Sequence, residues 1–247
     1  MKRLLATTAL LGALATGTSA ADLKEMTDEE RALFRAEVRA YLFENPEVIM
    51  QAVEILQNRE AQNQAQADID LVTQHAGAIF DDGYSWVGGN PEGDIVLVEF
   101  LDYRCGYCKR AHGEVAELLE TDGDIKLIVK ELPILGDASV LASRFAVAVK
   151  QVAGGDSYKS VGDALMSFQG DITLQSLRRL GNTFGLDMDA IEARMDSDEV
   201  TAEIAQTREL AGKLAISGTP TFVMQDELLR GYLPLDQMQA LVAEKRD

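Results

Sequence analysis

Cysteine is nearly missing from this 247-residue sequence: there are two, Cys105 and Cys108. A pair that close cannot shut a long loop or restrict much of the unfolded chain, so a disulfide-stapled scaffold is excluded. Stability must come from packing, and a composition that is 47% hydrophobic is ample for a core. Histidine is equally scarce, with His75 and His112 alone. Structural zinc commonly needs two CxxC pairs, or one CxxC with two histidines. His112 could share a helical face with Cys108, but His75 lies far upstream in a polar stretch, which argues against zinc. A c-type haem needs His directly after the second cysteine, where Lys109 stands. No metal ligands and no cofactor are assigned.

Positive charge is also in deficit. Lys and Arg total 23 against 41 Asp and Glu, a formal net charge of −18. That balance argues against nucleic acid or an anionic membrane as partner, and it gives a weak preference for basic client proteins. Long apolar runs are missing too. The one apolar stretch near the start, 4–14, follows the basic Lys2 and Arg3 and precedes Thr18-Ser19-Ala20. It falls short of the ~20 residues that span a bilayer, so residues 1–20 read as a signal peptide cleaved after Ala20. The expected location is the periplasm, where disulfides persist.

What is present begins with Cys105-Gly106-Tyr107-Cys108, set between an apolar β-run, Ile95–Leu101, and a segment of helical spacing that starts at Ala111. A CxxC that opens a helix after a strand reads as a redox-active dithiol. Residues i and i+3 on the first helical turn lie roughly 5–6 Å apart, within the range a disulfide tolerates. Unpaired N–H groups at a helix N-terminus favour negative charge on a thiol placed there. Cys105 is therefore expected to be the exposed nucleophile, with Cys108, one turn in, as the resolving thiol. Gly106 adds flexibility and Tyr107 an aromatic ring. Glu99, an acid inside the apolar strand, has two readings. One is a buried proton acceptor for Cys108; the other is a solvated Glu, or one paired with Lys130. Gly218-Thr219-Pro220-Thr221-Phe222 places Pro at a strand start. By propensity alone its peptide bond is trans. Two thiolates also allow copper(I) binding, although no Met lies close to the CxxC in sequence.

The remaining pattern divides the chain. Residues 21–70 form an N-terminal helical segment. Thr27-Asp28-Glu29-Glu30 is a capping box, Leu33, Phe34, Val38, Tyr41 and Leu42 recur at helical spacing, and Asn45 is expected to N-cap a second helix that begins at Pro46. The polar stretch 57–70 is a helix or a linker. The apolar stripes of these helices point to self-association over docking on the main domain. Residues 71–247 read as one α/β domain. Its expected strands are 84–87, with a turn at 88–91, then 95–101, 125–130, 221–224 and 228–232. A helical block at about 137–215 has caps at Ser139, Thr173 and Ser197, and a last helix covers 235–244.

These residues resemble the thioredoxin superfamily, in its DsbA-like branch of thiol-disulfide oxidoreductases. The likeness is carried by Val98 to Lys109 around the CxxC, by Glu131-Leu132-Pro133-Ile134-Leu135-Gly136, and by Gly218 to Phe222. The stretch from Tyr41 to Val48 is similar to the ScsC and Com1-like subgroup, in which N-terminal helices can drive trimerisation. The resemblance implies a thioredoxin fold with a helical insertion, preceded by a helical oligomerisation segment. It implies that Cys105, Cys108 and Glu99 are catalytic, and that Gly106, Tyr107, Thr219 and Pro220 face the substrate, with Pro220 cis. It implies exchange of disulfides with client proteins, as oxidase or isomerase, a homo-oligomer with trimer favoured, and an inner-membrane redox partner.

Overall fold

The apolar run Ile95–Leu101 forms β2, the middle strand of a five-stranded sheet, in a computed structural model that describes residues 26–246. The expected signal peptide, 1–20, lies outside the described residues, as do 21–25. β2 pairs in parallel with β3 (Ile125–Glu131), and the helix α4 (Gly106–Asp122) crosses between them, as a parallel pair requires. On its other side β2 pairs antiparallel with β4 (Thr221–Met224), which turns back into β5 (Glu227–Arg230). β1 (Trp86–Gly89) lies antiparallel on the far edge of β3, giving the order β1-β3-β2-β4-β5. Alternate side chains of β2 face opposite layers. Leu97 and Leu101 pack with Ala111, Val115 and Phe145; Val98 and Phe100 pack with Ile79, Leu210 and Leu214. Both faces are covered, which is why the strand reads as an almost unbroken apolar run.

Between β3 and β4 come α5 (Asp137–Ala153), α6 (Gly155–Met166), α7 (Leu174–Thr183), α8 (Met188–Met195) and α9 (Asp198–Lys213), the expected helical insertion. α10 (Leu235–Arg246) ends the described chain. Thr173 and Ser197 cap α7 and α9 as predicted, accepting the N–H groups of Ser176 and Val200. Ser139 does not cap. α5 starts earlier, behind Gly136, whose φ of 96° suits glycine, and Ser139 is buried inside the helix. β1 starts two residues later than the expected 84–87, because Asp82 Oδ1 takes the N–H groups of Tyr84 and Ser85 into a turn. The expected turn glycines, Gly88 and Gly89, are consequently inside β1.

The chain divides into two compact units between Arg59 and Glu60. In the first, α1 (Asp28–Glu44) opens with the predicted capping box, Thr27 and Glu30 bonding reciprocally. Asn45 closes α1 instead of opening the next helix: its backbone N–H and its side-chain amide both donate to the Tyr41 carbonyl. α2 (Glu47–Gln74) then runs unbroken across the polar stretch 57–70. Bonds from Gln64 to Asp68 and from Gln66 to Asp70, each i to i+4, support it there. Its C-terminal part belongs to the second unit, upstream of the boundary at 70 drawn from composition. Val72 joins the core there, and the Arg230 guanidinium forks onto Asp68.

Candidate active site

Residues 102–105 leave β2 in a tight turn that delivers Cys105 to the N-cap of α4. Asp102 sets this turn. Its Oδ1 accepts the Arg104 N–H at 2.8 Å, and its Oδ2 accepts the N–H groups of Ile134 and Leu135 at 2.9 and 3.0 Å. One wholly buried carboxylate thus ties the loop before the dithiol to the loop after β3. Sequence reasoning missed Asp102 as a functional residue. The available signal was an Asp directly before a turn, where such a side chain bonds backbone two residues on.

Cys105 and Cys108 are both free thiols. The Cys105 sulfur accepts the Cys108 N–H at 3.4 Å, and its thiol faces the Thr219 carbonyl at 3.0 Å. The Thr219–Pro220 peptide bond is cis, as the resemblance implied and propensity alone did not. Its segment lies against the sulfur, so Cys105 is only 7% exposed where an open position was expected. Gly106 is exposed and Tyr107 is 62% exposed beside it. Cys108 is wholly buried. Burial pushes its thiol well up, and the charge of Glu99 adds to that effect, while a backbone bond to Asp102 opposes it.

Glu99 is not solvated, and it does not pair with Lys130. Glu99 and Lys130 lie on opposite faces of the sheet, since Glu99 stands opposite Val129 and Phe100 opposite Lys130. Lys130 instead binds Asp82 at 2.5 Å and the Ala78 carbonyl at 3.0 Å. Glu99 is 3% exposed, and its Oε1 has no hydrogen-bond partner among the described residues. Burial, helped by the charge of Glu131, pushes its carboxyl up to about 8. Glu99 is therefore mostly protonated at neutrality, with a minority of molecules carrying it ionised. It borders a cavity of about 50 Å³ shared with Leu101, Tyr103, His112, Val115 and Tyr158. That volume has room for at least one water.

A second buried acid was missed as well. Glu131 accepts the hydroxyls of Tyr103, Tyr158 and Ser143, each at 2.7 Å. Burial pushes it up to about 7 against the pull of those three donors. It supplies part of the field felt by Glu99. His112 turns to Asp163, Nε2 to Oδ1 at 3.0 Å, and not to the dithiol. Among the described residues no group of three or more His, Cys, Asp or Glu side chains is placed to hold a metal ion. The structure thus brings together Cys105, Gly106, Tyr107, Cys108, Thr219 and Pro220, with buried Glu99 near enough for its charge to act on Cys108.

Comparison with known proteins points the same way. Residues 96–243 match the DSBA-like thioredoxin domain, and residues 30–63 match the copper resistance protein ScsC N-terminal domain. A thioredoxin-like oxidoreductase from Silicibacter pomeroyi is 40% identical, with a TM-score of 0.65, covering 69% of this chain and 96% of that one. The thiol-disulfide exchange protein alpha-DsbA2 from Wolbachia pipientis is 30% identical, with a TM-score of 0.68, covering 73% and 96%. Proteus mirabilis ScsC in a transitional conformation is 27% identical, with a TM-score of 0.65, covering 89% and 98%. Curated relatives also include a Na(+)/H(+) antiporter NhaA of Salinispora tropica, 28% identical over 156 residues; the match takes in 63% of this chain and 24% of that protein's length. With the fold, the CxxC-bearing helix and these matches in agreement, the chain belongs to the DsbA-like thioredoxin-domain family and carries an ScsC N-terminal domain ahead of it.

Proposed function

We propose that this protein is an exported thiol-disulfide oxidoreductase that exchanges disulfides with client proteins through Cys105 and Cys108. The observation that carries the reading is the set of groups at the two sulfurs. Cys105 is bonded to the Cys108 N–H and sits against the Thr219 carbonyl, while the charge of buried Glu99 acts on the Cys108 thiol. In the reducing direction the Cys105 thiolate attacks one sulfur of a client disulfide. A mixed disulfide forms and one client thiolate leaves. Cys108 then gives its proton to an ionised Glu99 and attacks the Cys105 sulfur. The second client thiolate departs and a Cys105–Cys108 disulfide remains. Oxidation of a client is the same sequence reversed. Isomerisation ends earlier, when a second client thiolate attacks the mixed disulfide and restores the Cys105 thiolate.

The periplasm, an inner-membrane redox partner and a trimer belong to this reading. Support for export comes from the Lys2-Arg3 start with its apolar stretch, and from the likeness to ScsC. No described helix is long and apolar enough to cross a membrane. Support for self-association comes from the exposed apolar side chains of α1 and early α2. A second reading, copper(I) capture by the two thiolates, draws on the name of the matched N-terminal domain.

Refolding of scrambled ribonuclease tests the first reading. Active protein is expected to lose all turnover in Cys105→Ser. Cys108→Ser is expected to accumulate a mixed disulfide that gel shift detects. Full turnover in Cys105→Ser would overturn the proposal. So would a reduced protein that binds copper(I) tightly and exchanges no disulfide, which would favour the second reading.

A further inference from the structure

Around the dithiol the basic side chains rest mainly on neutral groups. Several cations elsewhere answer carboxylates, as Arg178 meets Asp189 and Glu192 and Arg246 meets Asp94 and Asp122, although Arg208 rests on the Pro133 carbonyl. The three bases that flank the CxxC behave differently. Arg104 rests on the Leu135 carbonyl at 3.4 Å, and Lys109 on the Phe168 carbonyl at 2.9 Å. Neither forms an ion pair among the described residues. Arg110 lies over the Tyr232 ring, 4.5 Å from its centroid. Its nearest carboxylate, Glu114, is 3.9 Å away and already accepts from the Tyr232 hydroxyl and the Leu235 N–H. Asp102, the acid in the same loop, is buried with its oxygens occupied by backbone N–H groups.

These contacts lead to three sides of the dithiol: the loop after β3, the loop between α6 and α7, and the segment after β5. Exposed apolar groups lie among them. Tyr107 sits with its ring 6.0 Å from that of Tyr232, and Ile134 and Leu135 follow β3. A base parked on a carbonyl or a ring gains when a carboxylate replaces that neutral partner, because charge-assisted bonds are the stronger kind. Charges on distant faces count for little at this surface, since screening cuts them off within about 8–10 Å.

We infer that the surface around Cys105 takes an extended client segment with Asp or Glu close to its reactive cysteine, and that Arg104, Lys109 and Arg110 set this preference. The inference rests on the exchange function proposed above and names the client class. It reverses the expectation from net charge, which favoured basic clients.

Two synthetic dithiol peptides test it, one with glutamates and one with lysines beside its cysteines. The protein in its disulfide form oxidises each. The Cys105–Cys108 bond opens to two thiols, and the peptide's two thiols close to a disulfide. Each rate is divided by the same peptide's rate with neutral hydroxyethyl disulfide, which removes the peptide's own thiol reactivity. The glutamate peptide is expected to react about tenfold faster at low salt, with the ratio falling toward one near 1 M salt. The same collapse is expected in the triple variant Arg104→Gln, Lys109→Gln, Arg110→Gln. A native ratio of one or less would overturn the inference. So would a ratio that persists in the variant while both rates fall together, which would assign the bases to the sulfur itself. The salt series on the unaltered protein decides the matter even if the variant misfolds. Equal oxidation of both peptides removes only the acidic-client inference; oxidation of neither brings down the exchange function and the inference with it.

Discussion

In α1, Leu33 and Phe43 are each 72% exposed, whereas in the dithiol domain Leu97, Phe100 and Phe222 are wholly buried. No described residue of α1 is buried at all. The contrast extends to polar groups. The domain buries Glu99, Asp102, Lys130 and Glu131, while the N-terminal helices bury none of their charged groups before Asp68. One region leaves apolar surface in water, and the other hides charge in its core. Both arrangements are costly for an isolated fold. Apolar surface is relieved when it meets a partner; of the buried charges, Asp102 and Lys130 are paired within the fold, while Glu99 keeps an oxygen without a partner among the described residues.

The sharpest test separates the two regions. A chain cut between Arg59 and Glu60 keeps Asp68 and Val72 in the domain, where a cut at 70 would remove Asp68. We expect the full protein to scatter light as a trimer and the shortened one as a monomer that keeps oxidase activity and loses isomerase activity. A monomeric full-length protein would break the comparison on its N-terminal side. Leu33→Glu with Phe34→Glu should give the same dissociation without shortening the chain.

Next in size is Glu99→Gln. In the proposed mechanism Glu99 accepts the Cys108 proton, so its loss should slow resolution of the mixed disulfide by about 10²-fold or more, as for other positioned bases. Stability should move the other way. Glu99 ordinarily ionises near 4.5 and is pushed up to about 8 in the fold. Between those values the folded protein holds a proton that the unfolded chain has released, so stability falls as pH rises through that window. Glu131, pushed up to about 7, adds a fall of the same sign. Denaturant titrations at pH 5 and pH 8 should differ less in Glu99→Gln than in the native protein. An unchanged difference would mean that Glu99 is solvated after all.

A smaller loss is expected from Tyr158→Phe, which takes one of three donors from a buried carboxylate. About 1–3 kcal/mol is typical for such a bond to a charged group. Urea unfolding checks it, and an unaltered midpoint would count against a charged Glu131. Smallest is Asp68→Asn. It weakens a partly exposed fork to Arg230 and should cost no more than about 1 kcal/mol.

Much of this was readable from local signals. The apolar run at β2, the CxxC at a helix start and the caps Thr27, Thr173 and Ser197 are short-range features, and they appear where sequence rules put them. Ser139 and Asn45 misled because a cap depends on where the helix begins, and neighbouring residues decided that: Gly136 in one case, Pro46 in the other. Asp102 and Glu131 stayed hidden for another reason. Their partners, Ile134, Leu135, Tyr103, Ser143 and Tyr158, are mostly distant in sequence, and the fold alone brings them together. The openness of Cys105 was likewise misjudged, because the Thr219 carbonyl that covers it comes from the other end of the domain.

The three hydroxyls on Glu131 arrive from separate places: Tyr103 from the turn after β2, Ser143 from α5 and Tyr158 from α6. One acid thereby helps to bolt the insertion to the sheet, beside bonds such as that from the Trp86 indole N–H to the Gly155 carbonyl. An engineer who excised 137–215 to obtain a minimal thioredoxin would strand that acid in oil with one of its three donors left. The insert cannot be unscrewed as a module; Glu131 would have to be redesigned in the same stroke.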